Sequence, residues 1–268
     1  MRVFIRDFCI ACLSLTGIAY AYRFIVGLKG PLVRIVVFHD VRDALWFEKT
    51  IATLAQNFHV VSPEDFSSRT FDPKSINILI TFDDGYASWV TTVLPVLERY
   101  GIQGLFFVNS GLIDIADDTT SVALFMKNEL KIQPRDPLSW DGVRTLFERG
   151  HTIGSHGYHH VNLRMLGEHD LVQTLRKDKE RIESVLGTPV LHCAYPFGTK
   201  EYVDARVGKG AQNVGFLYGY TAISRFVGFD ETFQVPRMCI EDEMTPQMLT
   251  RWVFGAYDLF TAVKSIFR

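Results

Sequence analysis

The stretch from residue 76 to residue 89, "INILITFDDGYASW", decides the fold of this chain. Its first seven residues form a nearly continuous apolar run, which is typical of a strand that is buried on both faces of a parallel sheet. Two aspartates, Asp83 and Asp84, follow this run directly, and a helical pattern begins near Ala87. A buried strand that leads into a helix is the repeating unit of an α/β fold, whose ligands bind at the carboxyl ends of the strands.

Six further segments have the character of strands. They lie at 34–39, 104–109, 151–156, 190–196, 217–223 and 234–240. Helical patterns lie at 46–58, 87–101, 139–150, 168–187 and 245–260. We therefore predict an α/β fold with about seven parallel strands, in a barrel or a large doubly wound sheet. Pro95 predicts a kink in its helix, and residues 111–137 read as one long irregular loop.

Size and charge narrow the class of protein. The 268 residues are 47% hydrophobic, which is enough for one globular domain with a full core. The formal net charge is -2, and the basic residues are scattered along the chain. Because binding to a phosphate backbone calls for a basic face, we exclude nucleic acid as a partner. No pattern in the sequence indicates an oligomeric state.

Residues 1–29 differ from the rest of the chain. Arg2 and Arg6 precede an uncharged run from Phe8 to Tyr22, which ends in the small-residue pattern of residues 19–21. This order is typical of a secretory signal. A spanning helix is the rival interpretation, because the stretch from Phe8 to Leu28 just reaches the ~20 residues that a bilayer requires. A buried N-terminal core helix is a third interpretation.

We favour export, with residues 1–29 as a signal peptide or membrane anchor and residues 30–268 as the catalytic domain. The protein is then periplasmic, extracellular or attached to the membrane. Only Cys193 and Cys239 lie in that domain. Their spacing matches no metal motif, and two buried free thiols are favoured over a disulfide, which export would permit.

The stretch "SHGYHH", residues 155–160, carries a candidate metal site. On a helical turn His156 and His160 would share a face, so both imidazoles could bind one divalent ion and a carboxylate could complete a zinc site. His159 is a weaker candidate ligand. Histidines also cluster in surface loops, so this stretch alone leaves the assignment open.

The two adjacent aspartates have two interpretations. In the first interpretation, one of Asp83 and Asp84 caps the following helix and the other is solvated, as is common where a strand leads into a helix. Alternatively, one carboxylate binds the ion and the other acts as the base toward water. Neighbouring carboxylates repel each other unless a cation lies beside them, so the histidines favour the second interpretation.

The motifs "TFDDGY", "SHGYHHVNL" and "AYPFG" together resemble those of the polysaccharide deacetylase family, also called the NodB homology domain or carbohydrate esterase family 4. The resemblance covers roughly residues 33–240. It implies a distorted (β/α) barrel that removes acetyl groups, usually from N-acetylglucosamine units of a polysaccharide, with a divalent metal that is commonly zinc.

The resemblance also assigns roles to residues. Asp83 resembles the catalytic base, and Asp84, His156 and His160 resemble the metal ligands. The backbone N–H of Phe197 corresponds to the donor that stabilises the oxyanion.

Two departures from the family pattern concern catalysis. Ala194 stands where members carry an arginine that orients the base, and no histidine follows His192 to act as the general acid. A branch that deacetylates exopolysaccharides of the poly-N-acetylglucosamine type begins with a stretch similar to the one around His39. We hypothesise that His39 is the general acid and that Arg237 replaces the missing arginine. Alternatively, His39 bonds a backbone group and Arg237 closes a surface ion pair.

The sequence therefore predicts an exported, metal-dependent de-N-acetylase that acts on an acetylated polysaccharide or oligosaccharide. A barrel of the same fold that binds carbohydrate without catalysis is the alternative, because of the two departures. An iron(II) oxygenase site, which also uses two histidines and a carboxylate, is disfavoured by the second aspartate beside it.

Overall fold

The structure is a computed structural model that describes residues 2–228, 230–242 and 244–266, with side chains described from residue 6 to residue 264. Residues 1, 229, 243, 267 and 268 belong to the predicted export segment and catalytic domain but lie outside this part of the chain.

One sheet of parallel strands forms the centre of the described chain. Its strands are β1 (Leu32–Phe38), β2 (His59–Val61), β3 (Ile76–Asp84), β4 (Leu105–Val108), β5 (Thr152–Ser155), β6 (His192–Ala194), β7 (Tyr218–Tyr220) and β8 (Met238–Cys239). The order is β7-β6-β5-β4-β3-β1-β8, with β2 paired to the first half of β3. A parallel bridge from Tyr220 to Val235 links β7 to the segment before β8, so the sheet curls into a distorted, partly closed barrel. This confirms the predicted α/β fold.

Helices surround the sheet. They are α1 (Arg2–Leu15), α2 (Ile18–Gly27), α3 (Ala44–Asn57), α4 (Pro63–Ser68), α5 (Leu94–Arg99), α6 (Ser110–Asp114), α7 (Thr119–Phe125), α8 (Trp140–Glu148), α9 (Glu168–Leu186), α10 (Ala205–Val214), α11 (Pro246–Val253) and α12 (Ala256–Ile266). The kink predicted at Pro95 appears as a π-helical turn at Trp89–Val93, directly before α5. The helix predicted at 245–260 is two helices, because Gly255 adopts φ 99° and ends the first.

The prediction of a loop at 111–137 is wrong. This segment contains most of α6, all of α7 and a π-helical turn at Met126–Leu130. Asp118 caps α7 by accepting hydrogen bonds from the backbone N–H groups of Thr120 and Ser121. Each element is too short to show helical periodicity in the sequence.

Burial on both faces explains the continuous apolar strands. On β1, Val33 and Ile35 belong to the barrel interior, whereas Val36 and Phe38 belong to the layer between the sheet and the helices. Arg34 is fully buried and forms a bidentate ion pair with Asp258 of α12, at 2.7 and 3.1 Å. This pair fastens the last helix to the barrel.

The N-terminal segment forms two helices rather than one. Gly17, with φ 78°, separates α1 from α2, and the helices meet at an angle of 70°. Within the described chain no single helix has the length and hydropathy to cross a bilayer, whereas the bent α1–α2 pair meets that test jointly. Ile10 and Ala19 are buried, and α1 packs against α11 and α12.

The cysteines of the barrel are free thiols, as the sequence favoured. Cys193 is buried in β6, and Cys239 is half-buried at the end of β8.

Candidate active site

All of the predicted site residues line one cavity of about 280 Å³, the site cavity, at the carboxyl ends of the strands. These residues are His39, Asp83, Asp84, His156, His160, Phe197 and Arg237. Six of them end or follow β1, β3, β5 or β6, and Arg237 directly precedes β8. The parallel sheet therefore brings all of them to one rim. The convergence that the sequence predicts is present in the fold.

Asp84, His156 and His160 form a group in which each offers one ligand atom, and these atoms lie within 4.8 Å of one another. The Oδ1 atom of Asp84 lies 3.4 Å from Nε2 of His156 and 3.7 Å from Nε2 of His160. All three residues are buried. Two ligands bound to one zinc ion at about 2.0–2.1 Å in tetrahedral geometry lie about 3.3 Å apart, so the spacing fits such an ion.

The other polar atoms of these three side chains have partners. Nδ1 of His156 lies 2.8 Å from the carbonyl oxygen of Ala194, and Nδ1 of His160 lies 3.3 Å from that of Glu129. A carbonyl oxygen only accepts, so each Nδ1 carries a proton, and in the neutral ring the lone pair lies on Nε2, where it can bind an ion. Tyr86 donates its hydroxyl to Oδ2 of Asp84 at 2.8 Å. The ring orientations therefore suit a divalent cation.

The charges in the site favour the same interpretation. Burial opposes ionisation of Asp84, but when His156 is protonated its hydrogen bond, together with positive charge on the neighbouring histidines, holds the pKa of Asp84 well below its usual range. Burial lowers the pKa of His160 to about 4, so this imidazole is neutral at pH 7. Burial also disfavours charge on His156, yet the Asp83 and Asp84 carboxylates raise its pKa. No lysine or arginine in the described chain pairs with Asp84.

Asp83, by contrast, has a cationic partner. The guanidinium of Arg237 binds both of its carboxylate oxygens at 2.6 Å, and both residues are buried. Arg237 also donates to the carbonyl oxygen of Thr221. Burial opposes ionisation, but the charge of Arg237 lowers the pKa of Asp83. Arg237 therefore has the position expected of an arginine that orients this carboxylate, and the alternative of a surface ion pair is wrong.

Neither aspartate caps the helix that follows β3. Asp83 bonds Arg237, and Asp84 bonds Tyr86 and faces the two histidines. The interpretation of one carboxylate as a helix cap is therefore wrong.

Replacing Arg237 with methionine is expected to raise the pKa of Asp83, because the buried carboxylate loses its cation. A base must be deprotonated, so the acid limb of the kcat/KM profile for acetate release moves to higher pH. Arg34→Met is the matched control, since it removes a buried bidentate Arg–Asp pair outside the site. Arg34→Met should lower stability but leave the acid limb of the kcat/KM profile at its wild-type pH. If the acid limb of Arg237→Met also stays at its wild-type pH, Arg237 does not control the ionisation of Asp83.

The histidine pair is not on a helical turn, contrary to the prediction. Residues 156–160 follow β5 as an irregular loop in which Gly157 and His160 have φ values of 79° and 44°. These left-handed positions turn the chain so that both Nε2 atoms face Asp84. His159 points elsewhere: it is exposed, packs against the ring of Tyr158 and lies outside the group of three.

Backbone strain is concentrated at this cavity. Five described residues other than glycine have positive φ, and three of them are Asp84 (89°), His160 (44°) and Phe197 (62°). Such conformations are costly and persist where the surrounding structure imposes them, often at functional sites. The N–H of Phe197 donates to no backbone or side-chain acceptor in the described chain, so it is free to donate to a ligand.

His39 directly follows β1, lies at the rim of the site cavity and is exposed. Its carbonyl oxygen accepts a hydrogen bond from the indole of Trp89. Its imidazole makes no hydrogen bond within the described chain, which removes the alternative of a side chain bonded to the backbone.

The sequence did not indicate two residues that hold the histidine loop in position. Asp178, fully buried in α9, accepts hydrogen bonds from the N–H and hydroxyl of Ser110, the hydroxyl of Ser155 and the N–H of Gly157. Asn109 donates to the carbonyl oxygens of residues 156 and 157. Asp178 stands in the charged run "RKDKER", where nothing distinguishes it from its solvated neighbours.

Replacing Asp178 with asparagine is expected to lower zinc affinity about 10- to 100-fold, because partners that orient a ligand typically have effects of this size. A chelator competition measures the affinity directly. Asp204→Ala is a control that removes the side-chain cap of α10, which accepts a hydrogen bond from the N–H of Val207, and lowers stability alone. Equal zinc affinity in wild type and Asp178→Asn contradicts a positioning role.

Comparisons with known proteins agree with the fold. The family model for polysaccharide deacetylase matches residues 70–219. The chain is 25% identical over 115 residues to the peptidoglycan-N-acetylmuramic acid deacetylase PdaA of Bacillus subtilis, covering 42% of this chain and 35% of that protein. It is 25% identical over 104 residues to a chitin deacetylase of Arthroderma benhamiae, covering 37% and 22%. The chain thus spans about a third or less of these relatives.

Solved structures share the fold. The deacetylase PplD of Streptococcus pyogenes has a TM-score of 0.69 at 16% identity, with 84% of this chain and 99% of that chain covered. IcaB from Ammonifex degensii has a TM-score of 0.67 at 20% identity, with 84% and 98% covered. At these identities the likeness to the solved structures shows the fold alone. Assignment to a family rests on the match to the family model.

Proposed function

Because the chain belongs to the polysaccharide deacetylase family, we propose that it is a metal-dependent hydrolase that removes acetyl groups from N-acetylated amino-sugar units of a polysaccharide. One observation carries this proposal: Asp83, held by Arg237, lies beside a buried group of Asp84, His156 and His160 in one cavity. A base beside a metal site can activate water for attack on an amide carbonyl.

The chain's own residues divide the reaction among them. Asp84, His156 and His160 would hold a divalent ion, most simply zinc, which would supply the Lewis acidity needed to activate water and to polarise the acetamide carbonyl. Asp83 accepts the proton of the attacking water, and Arg237 keeps that carboxylate ionised and fixed. The N–H of Phe197 donates to the oxyanion as it develops. His39 gives a proton to the departing amine.

The names of the relatives support an amino-sugar polymer as the substrate, since one is a chitin deacetylase and another a peptidoglycan-N-acetylmuramic acid deacetylase. The resemblance of the stretch around His39 to the exopolysaccharide branch supports a poly-N-acetylglucosamine type of polymer.

Acetate release tests the proposal. The purified chain with zinc is expected to release acetate from N-acetylglucosamine oligomers, and removal of zinc by a chelator to stop it. If the protein binds oligomers but releases no acetate in the presence of zinc, cobalt or nickel, the proposed enzymatic activity is contradicted. That result supports a barrel that binds carbohydrate without catalysis.

Replacing His39 with asparagine is expected to slow acetate release from oligomers about 10²- to 10⁴-fold, the usual range for loss of a general acid. An activated ester such as 4-nitrophenyl acetate needs no proton on its leaving group, so its hydrolysis stays near the wild-type rate. The exposed His169 supplies the control variant, His169→Asn. Equal losses with both substrates contradict the role of His39 as the acid.

We further propose that the chain is exported and associates with the membrane through residues 1–29. The basic start and the uncharged run that follows support this. Fractionation of producing cells, with sequencing of the N-terminus of the recovered protein, tests it; recovery of the whole protein from the cytosol contradicts it.

A further inference from the structure

A large cavity lies at the opposite end of the barrel from the site cavity, and we call it the basal cavity. Its volume is about 480 Å³, within the range of about 300–1,000 Å³ that is typical of ligand pockets. Val33 near the start of β1 and Tyr218 at the start of β7 line it, so it lies at the amino ends of the strands. No described residue lines both cavities. The basal cavity is therefore separate from the candidate active site.

The walls of the basal cavity are mostly apolar. Side chains from α2, β1, α4 and the loops beside them contribute, among others Val26, Val33, Phe66, Phe71, Phe226 and Val227. Two of the polar side chains in the wall already have partners. Tyr218 donates its hydroxyl to the carbonyl oxygen of Ser67. Both carboxylate oxygens of Glu231 accept from Arg225, and one also accepts from the N–H of Gly228. The interior therefore favours a hydrocarbon chain over a polar ligand.

The helix α2 forms one wall of the basal cavity, and its outer face is exposed but carries no charge. The exposed residues of α2 are Ile18, Tyr20, Ala21, Phe24, Ile25 and Gly27. The side chains of Tyr20, Phe24 and Ile25 are 68%, 63% and 59% exposed, and Leu28 directly after the helix is 70% exposed. A helix at the surface of a soluble domain has polar residues on its solvent face. A contiguous apolar surface of this kind marks a contact with a membrane or a partner.

The charges around this outer face are positive. No acidic residue occurs between Asp7 and Asp40, whereas Arg23 lies within α2 and Lys29 just after it. Lys29 is exposed and lines the basal cavity, and in the described part of the chain no carboxylate forms an ion pair with its ammonium. Arg69 brings a second cation to the same wall. An apolar helix face bordered by basic residues is typical of a helix that lies in the plane of an anionic membrane.

Ile25 joins the two surfaces, since it is exposed on the outer face of α2 and also lines the basal cavity. Resting on the proposed membrane association, we propose that the basal cavity binds one acyl chain of an anionic membrane phospholipid. The helix α2 lies in the plane of the membrane surface, the chain enters past Ile25, and Lys29 pairs with the phosphate. The site cavity is at the other end of the barrel, so a bound lipid leaves it open.

Photolabelling in vesicles tests where the acyl chain lies. The full chain is mixed with phosphatidylglycerol vesicles in which some lipids carry a diazirine at the middle of one acyl chain. Illumination is expected to attach the lipid to Phe66, Phe71 or Tyr218, in the wall of the basal cavity, as peptide mass spectrometry will show.

A filled cavity supplies the variant for this test. Val227→Trp takes up space in the basal cavity and should lower the labelling of its wall about 10-fold, which corresponds to displacing roughly two methylene groups of the chain. Val185→Trp is the matched control, at a half-buried valine of α9 outside the cavity, and should label like wild type.

A second variant tests the headgroup without changing the cavity. Lys29→Ala is expected to weaken binding to phosphatidylglycerol vesicles about 5-fold, the usual contribution of one basic residue at an anionic surface. Lys209→Ala, exposed on α10, should bind like wild type. If wild type binds phosphatidylcholine vesicles as tightly as phosphatidylglycerol vesicles, the anionic headgroup is wrong.

The possible failures are distinguishable. If wild type sediments with vesicles but only exposed side chains of α2 such as Phe24 are labelled, the cavity is not a lipid site and the membrane association stands. Equal labelling of the cavity wall in wild type and folded Val227→Trp also overturns the lipid site. Wild type that dimerises and does not sediment with vesicles assigns the outer face of α2 to a second copy and overturns both. None of these measurements uses acetate release, which tests the deacetylase separately.

Discussion

A variant with His160 replaced by alanine is expected to lose bound zinc and about 10³-fold or more of its acetate release. The group of Asp84, His156 and His160 supplies three ligands, and an ion held by only two binds weakly. Through its Lewis acidity such an ion would lower the barrier by several kcal/mol, and each ~1.4 kcal/mol is a factor of ten in rate. Zinc content by mass spectrometry and the rate of acetate release are the two measurements.

His159→Ala is the matched control for this variant. His159 is the adjacent residue, but it is exposed and lies outside the group of ligands. It should retain full zinc content and activity. The assignment of the ligands is wrong if His160→Ala keeps one zinc per chain, or if both variants lose activity equally.

The sequence predicts the rim of the barrel well because the positions follow from local pattern. Asp83 and Asp84 come directly after an apolar run, and His39 and His156 follow two others, so parallel topology alone brings them together. Local pattern did not give the shape of the histidine loop. Two left-handed residues and the buried Asp178 determine that shape, and they act through contacts between residues far apart in the chain.

Arg237 shows where reasoning from a resemblance reaches further than local pattern. The arginine expected at position 194 is absent, and nothing local connects residue 237 to Asp83. The pairing of β8 with β1, and of β1 with β3, brings the two side chains together across the barrel. The compensating residue therefore follows from the family pattern together with the closure of the barrel, and not from the sequence around it, and the same pairing brings His39 to the cavity.

Replacing Asp83 with asparagine is expected to slow acetate release about 10²- to 10⁴-fold, because the amide cannot accept the proton of the attacking water. Zinc binding should persist, since Asp83 is outside the group of three ligands. The variant will also be less stable, because Arg237 is left as an unpaired buried cation, at a cost of about 3–5 kcal/mol. Activity and unfolding temperature must therefore be measured together.

A double variant separates the chemical effect from the structural one. Asp83→Asn with Arg237→Met removes both charges of the buried pair, so the unfolding temperature should recover toward the wild-type value. Activity should not recover, because the base is still missing. Acetate release that returns with stability in the double variant means that Asp83 supports the fold rather than the reaction. If the double variant is stable and binds zinc but releases no acetate, the role of the Asp83 carboxylate is proton transfer.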